Sequence, residues 1–123
     1  MSGGAEARLL GRWGERIVSE HLRKLGWNIK DTNFRCRFGE LDVVAEKGRY
    51  IAFVEVKLRK SDSYGLPREA VNGEKQRKLR AAAEVYLQTS PTKLQPRFDV
   101  AEVYAPQGLN TLNPKITYIE NAF

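Results

Sequence analysis

Glu55 and Lys57 stand two residues apart at the end of an apolar run, Tyr50-Ile51-Ala52-Phe53-Val54-Glu55-Val56-Lys57. In a β-strand that spacing sends both side chains off one face, while Val56 turns the other way into a core. Closing a buried strand on Glu and Lys is costly unless both groups are solvated, paired or bound to an ion. Asp42 sits in a second β-rich run, Glu40-Leu41-Asp42-Val43-Val44-Ala45, with Leu41 and Val43 expected on the opposite face. The turn-like Glu46-Lys47-Gly48-Arg49 between the two runs makes them a hairpin. A register that puts Asp42 beside Glu55 sets two carboxylates within reach of one cation.

Two converging carboxylates repel each other, and a divalent ion relieves the repulsion. A hard ion such as Mg²⁺ (or Mn²⁺) takes oxygen ligands, commonly one or two carboxylates with waters and substrate phosphate. Asp42 and Glu55 are the candidate metal ligands, and the backbone carbonyl of Val56 could supply another. Such an ion stabilises charge on a phosphodiester and lowers the pKa of a bound water. Lys57 beside it could orient or deprotonate that water or stabilise the reacting phosphate. Glu15 lies one helical turn from Val18 and two from Leu22, at the edge of an apolar stripe, where a carboxylate can face a site. The plain counter-reading is an ion-pair network at a strand end, with Glu15 paired to a lysine on the rim. Geometry and charge type favour a catalytic group of Glu15, Asp42, Glu55 and Lys57.

Positioning these groups requires a sheet with helices packed on it. Ala5 to about Leu25 reads as a helix, with Leu9, Leu10, Trp13, Ile17, Val18, Leu22 and Leu25 at helical spacing and Gly26 as its stop. Gly11 and Gly14 are poor interior helix formers, and Gly11 in particular would allow close approach to the strand ends. Trp27 to about Arg35 is the first and least regular strand, followed by the hairpin pair. The near-continuous apolar run of the third strand predicts a central position covered on both faces. Ser61 to Leu66 reads as a mobile loop, Pro67 can open a helix, Asn72-Gly73 interrupts it, and Glu74 to Gln88 resumes with Leu79, Ala82, Ala83, Tyr86 and Leu87 buried. Arg97–Tyr104 is a fourth strand with Phe98, Val100 and Val103 inward. Pro106–Pro114 is a loop and Ile116–Ile119 a short final strand. The order α-β-β-β-α-β-β predicts an α/β class with a mixed central sheet flanked by helices.

The 123 residues fit a single domain spanning 1–123. Lys and Arg number 21 against 15 Asp and Glu, a net charge of +6, which favours polyanionic partners, nucleic acid foremost. Cys36 is the only cysteine, so an intrachain disulfide or a multi-cysteine zinc site is excluded and a reducing cytoplasm fits. The first residues lack a basic segment followed by an apolar one, and no apolar run approaches the roughly 20 residues of a membrane helix. A cytoplasmic protein that does not engage a membrane is therefore expected.

Arg35, Arg37, Arg59 and Lys60 lie close to the acids and could hold phosphates flanking a reacting one, or could form an ordinary solvated rim. Lys75, Arg77, Lys78 and Arg80 open the second helix, where charge would add to the helix dipole in holding phosphate, although they cannot all share a face. Asp99 reads as a residue that fixes Arg97 or a turn, His21 as helix surface, and Cys36 as a small strand residue. Trp13, Trp27, Tyr64 and Tyr86 could stack on bases, but Trp13 and Tyr86 lie on apolar stripes and read as core.

Asp42, followed at hairpin distance by Glu55-Val56-Lys57 and preceded by the helical Glu15, resembles the PD-(D/E)XK nuclease motif. The chain as a whole resembles the YraN family, placed near the archaeal Holliday-junction resolvases. The matching segments are Gly11-Arg12-Trp13-Gly14-Glu15, Asn33-Phe34-Arg35, Gly39-Glu40-Leu41-Asp42-Val43-Val44, Phe53-Val54-Glu55-Val56-Lys57-Leu58-Arg59, Lys75, Arg97-Phe98-Asp99-Val100 and Asn121-Ala122-Phe123. Leu41 stands where the motif has proline, which matters little because the metal needs the carboxylate. The resemblance implies a restriction-endonuclease-like α/β/α fold, metal ligation by Asp42 and Glu55, a catalytic Lys57 and a supporting Glu15. The expected activity is a divalent-metal-dependent endonuclease acting on DNA, with branched or junction DNA as one substrate class. The alternatives are a nucleic-acid-binding accessory protein with this fold but little or no cleavage, and an interaction domain for an acidic partner. A two-fold homodimer would suit cutting of paired strands.

Overall fold

The computed structural model describes residues 3–60 and 71–123. The expected loop Ser61–Leu66, Tyr64 within it and the helix opening at Pro67 lie outside the described residues. The elements follow the expected order: helix α1 (Gly3–Lys24), strands β1 (Asn28–Cys36), β2 (Gly39–Lys47) and β3 (Tyr50–Arg59), helix α2 (Gly73–Thr89), and strands β4 (Gln95–Tyr104) and β5 (Lys115–Ile119). Among the described residues no helix is long and apolar enough to cross a membrane.

The strands form one sheet in sequence order, β1-β2-β3-β4-β5. Every neighbouring pair is antiparallel except β3 and β4, which run parallel. A parallel pair needs a crossover connection, and α2 lies on that connection. β3 is the central strand, and alternation of its side chains builds two cores. Ile51 and Phe53 pack with Val44, Val100, Leu79, Ala82 and Tyr86 under α2. Ala52 and Val54 pack with Val43, Ala45, Ala101, Val103, Val18 and Leu22 under α1. The result is a helix–sheet–helix sandwich whose middle strand is covered on both faces, as its apolar run requires.

Several local expectations shift. The hairpin turn is Gly48-Arg49 alone, because Lys47 already pairs with Tyr50 and Gly48 takes the left-handed backbone at φ 58°. Asn72 caps α2, its side chain accepting from the Lys75 N–H at 2.9 Å. The expected loop at Pro106–Pro114 contains a short 3-10 turn at Gly108–Asn110. Phe98 and Val100 face α2 while Val103 faces α1, so "inward" means two different cores. Leu9 remains 59% exposed in the first half of α1, and Leu25, 52% exposed, lies in the turn after Lys24 rather than in the helix.

The two glycines of α1 also exchange roles. A side chain on Gly11 would meet no atom within 4 Å, whereas on Gly14 it would stand 3.1 Å from Leu58 of β3. Gly14, not Gly11, is the point of close helix–strand approach. Gly11→Ala should therefore raise stability by about 0.5–1 kcal/mol through helix propensity. Gly14→Val should lower it by about 1–3 kcal/mol through overpacking. Urea midpoints of the two variants check both signs, and a stabilising Gly14→Val would refute the close-packing account.

Candidate active site

The sheet forks where the candidate acids lie. The β2–β3 ladder closes at Val43 opposite Val54, yet β2 goes on pairing with β1 as far as Gly39, and β3 goes on pairing with β4 as far as Arg59. The next pair in register would be Asp42 opposite Glu55, and there the two strands part. The Asp42 carboxylate takes over the ladder's bond, accepting the Val56 N–H at 2.8 Å. An extended residue sends its N–H and C=O to the same side, so the Val56 carbonyl also faces the fork. Alternation in β2 breaks at the same place. Leu41 is buried under α2 and Val43 under α1, so the expectation that both oppose Asp42 does not hold.

Asp42 and Glu55 come carboxyl to carboxyl at the fork, close enough for each to bear on the other's charge. Burial, then the hydrogen bond and the charge of Glu55, push Asp42 up to about 9. Burial would raise Glu55 as well, but the bond from Asp42 and the Lys75 ammonium outweigh it and hold Glu55 below the usual carboxylate range.

Glu15 reaches the same point from α1. It is buried, and its carboxylate with those of Glu40 and Asp42 offers three oxygens within 4.8 Å of one another. One Glu15 oxygen, Oε1, is buried with no hydrogen-bond partner. Burial raises its pKa, and a hydrogen bond from the Asn33 side chain partly offsets this. Asn33 lies in β1 with a left-handed backbone, φ 57°, just past a register shift between Ile29 and Asp31. That irregularity aims its amide at Glu15 and accounts for the weak pattern of the first strand.

Glu55 leaves β3 toward α2, as alternation predicts. The Lys75 ammonium, one turn into α2, lies 3.0 Å from Glu55 Oε2, though off the angle of a true hydrogen bond, so that oxygen keeps free acceptor capacity. Burial, and then the neighbouring Lys75, hold the Lys57 amine below the ordinary lysine value. Burial would lower Lys75 too, but the charge of Glu55 raises it. The structure thus gathers Glu15, Asp42, Glu55, Lys57 and Lys75 around the fork. A cleft of about 510 Å³ opens over Asp42, Glu55 and Lys75, bordered by Phe38, Glu40 and Asn72.

The remaining basic residues are more dispersed. Arg35 is two-thirds exposed and pairs with Glu40 at 2.7 Å. Arg37 forms the β1–β2 turn with its guanidinium 4.7 Å above the Phe38 ring. Arg59 is mostly buried and engaged with Glu102, while Lys60 is exposed just past β3. Asp99 stands outside the fork. It is fully buried and binds Arg97, the Tyr118 hydroxyl and the Asn121 N–H, the structural role expected of it. Two contributors, Asn33 and Glu40, went unmarked as site residues in the sequence. An asparagine inside a strand is the signal that could have found the first.

A forked mixed sheet between two helices, with three acids and two lysines gathered at the fork, defines an α/β/α protein of the restriction-endonuclease-like class in architecture. Residues 14–103 match the model of the uncharacterised protein family UPF0102, and the chain belongs to that family, the YraN family of the sequence resemblance. A UPF0102 protein of Alkaliphilus metalliredigens is 46% identical over 118 residues, covering 95% of this chain and 99% of the relative. One of Caldanaerobacter subterraneus is 44% identical, covering 94% and 95%. One of Syntrophotalea carbinolica is 50% identical over 95 residues, covering 76% and 77%.

Proposed function

We propose that the protein is a divalent-metal-dependent endonuclease acting on DNA phosphodiester bonds, with branched or junction DNA among its substrates. The observation that carries this reading is the meeting of Asp42 and Glu55 at the fork, a half-buried and a buried carboxyl whose like charges oppose each other. A dication between them removes the repulsion. The donor set fits Mg²⁺ or Mn²⁺: hard oxygens from Asp42, Glu55 and the Val56 carbonyl, with the partnerless Glu15 Oε1 beside them. When bound, the ion would neutralise charge on the reacting phosphate and acidify a water.

The chain's own residues do the rest. The Val56 N–H holds the Asp42 carboxylate in one orientation, and Glu55 is placed by the strand register. Lys57, on the same face as Glu55 and depressed toward its neutral amine, can take a proton from the attacking water or, once protonated, hold the phosphate oxygens. Lys75 neutralises Glu55 and stands ready to move to an incoming phosphate.

Purified protein should nick supercoiled plasmid in Mg²⁺ or Mn²⁺ and stop on addition of EDTA, and it should turn over a four-way junction as well as linear duplex. Cleavage that survives in both Asp42→Ala and Glu55→Ala would refute the assignment. Salt-sensitive binding without cleavage would favour the accessory role instead.

A further inference from the structure

The exposed face of α1 carries Arg8, Arg12, Arg16 and Arg23. None of them forms an ion pair or hydrogen bond among the described residues, although Arg12 lies close enough to Glu15 to favour its charged form. At roughly 100° per residue the four fall within about 80° of arc, and at 1.5 Å per residue they span about 22 Å along the helix. An acid at i±4 could have neutralised such a stripe, but Glu20, four residues after Arg16, forms no ion pair with it among the described residues. Arg12, Arg16 and Arg23 line a groove of about 300 Å³ with Thr32 and Asn33 of β1. Ser19, only 3% exposed, also lines it, and its hydroxyl has no partner. Glu15 lies in the same groove, so one end opens on the catalytic group. A smaller groove continues from Arg12 past Arg8 to the Arg35–Glu40 pair.

We propose that this α1–β1 groove is a track for the phosphate backbone of one nucleic-acid strand, holding the strand next to the phosphate that reacts at the fork. The inference rests on the proposed nuclease reading and assigns it a binding surface. Three acids at the fork repel a polyanion, so substrate approach needs a compensating positive field close by. A row of unpaired guanidiniums supplies it, and their planar forks match phosphate oxygens. The buried Ser19 hydroxyl supplies a further donor within the groove. A merely solvated arginine face explains neither the orphaned hydroxyl nor the continuity of the groove with Glu15.

The test uses the full chain with Asp42→Asn added to silence cleavage, in EDTA, with a fluorescently labelled DNA strand read by anisotropy over a series of salt concentrations. Arg12→Gln/Arg16→Gln should weaken binding about tenfold or more and lower the slope of log Kd against log salt by about 1.4–1.8, as expected for two lost phosphate contacts. Each single variant should lower it by about half as much. Lys24→Gln/Lys93→Gln removes the same charge from exposed positions off the stripe and should change the slope little. All four arginines are exposed, so thermal melts should be unchanged, and the single variants keep the slope readable if the double variant is unstable. Equal slopes for the two double variants would overturn the track, as would poly-glutamate binding as tightly as DNA and losing affinity in the same variants. Wild-type cleavage with unaltered binding in the arginine variants removes the track alone. No DNA binding by any form, together with no cleavage by the wild type, removes the functional reading beneath it.

Discussion

Asp42→Asn is expected to abolish metal-supported cleavage and, in the metal-free protein, to raise the melting temperature. The amide keeps the oxygen that accepts the Val56 N–H at 2.8 Å and can donate to Glu55, so the fork stays intact. What disappears is an anionic ligand, and cleavage should fall by about 10³-fold or more. Stability moves the other way because Asp42 stands half-buried against a second carboxyl, with its pKa raised from 3.8 to about 9. A raised carboxyl value means that the folded chain binds the proton more tightly than the unfolded chain. The stabilisation is whole below pH 3.8 and is lost as the pH climbs through about 9. The asparagine carries no such dependence, so the gap between variant and wild type should be smallest near pH 4 and widest near pH 9. At pH 8 it should be on the order of 2 kcal/mol, or about 5–10 °C in Tm. Millimolar Mn²⁺ should stabilise the wild type and leave the variant unmoved, closing the gap by mass action. Differential scanning calorimetry at several pH values, with and without Mn²⁺, reads all of this. A variant that melts below the wild type at pH 8 would show that the carboxyl pair is not in conflict.

Asp99→Ala should cause the largest loss of stability of any change considered. Asp99 is fully buried and accepts from Arg97 Nε at 3.0 Å and Nη2 at 2.9 Å, from the Tyr118 hydroxyl at 2.6 Å and from the Asn121 N–H at 2.8 Å. One carboxylate therefore ties β4 to β5 and to the C-terminal turn. The Arg97 side chain is only 11% exposed and lies between the Trp27 and Tyr50 rings, 5.1 Å and 4.9 Å from their centroids. Truncating Asp99 strands that cation and leaves the buried Tyr118 hydroxyl without its acceptor. Breaking a buried pair from one side costs about 3–5 kcal/mol, a large share of the roughly 5–15 kcal/mol that holds a domain. Tm should fall by about 10–20 °C. Adding Arg97→Met should recover part of the loss, since the stranded charge goes with it. A double variant no more stable than Asp99→Ala would show that the hydrogen bonds to Tyr118 and Asn121, rather than the guanidinium, dominate.

The two results would separate function from fold in the same sheet. On the proposed reading Asp42 is costly to the folded chain and serves the chemistry, whereas Asp99, satisfied by Arg97, Tyr118 and Asn121, serves the fold. Strained, like-charged groups concentrate where a ligand will relieve them.

Local pattern was enough to reveal the element order, the central place of β3 and the shared face of Glu55 and Lys57. Period-2 and period-3.6 signals depend only on near neighbours in the chain. The hairpin already implied that Asp42 and Glu55 would be close, because a tight turn constrains the register of the strands it joins. Only the tertiary structure decided that the ladder parts at that pair, turning Asp42 onto the Val56 N–H and splitting Leu41 from Val43. That outcome depends on β1 and β4 pulling the two strands to different sides, a competition that no local window contains. The same holds for Lys75, which α2 carries to Glu55 after a crossover, for Asn33, aimed at Glu15 by an irregular backbone, and for the arginines of α1, whose significance lies in the acids they border. Side-chain types and spacing set what each segment can do by itself; long-range packing, whose contacts join residues far apart in the chain, chose which of those capacities meet.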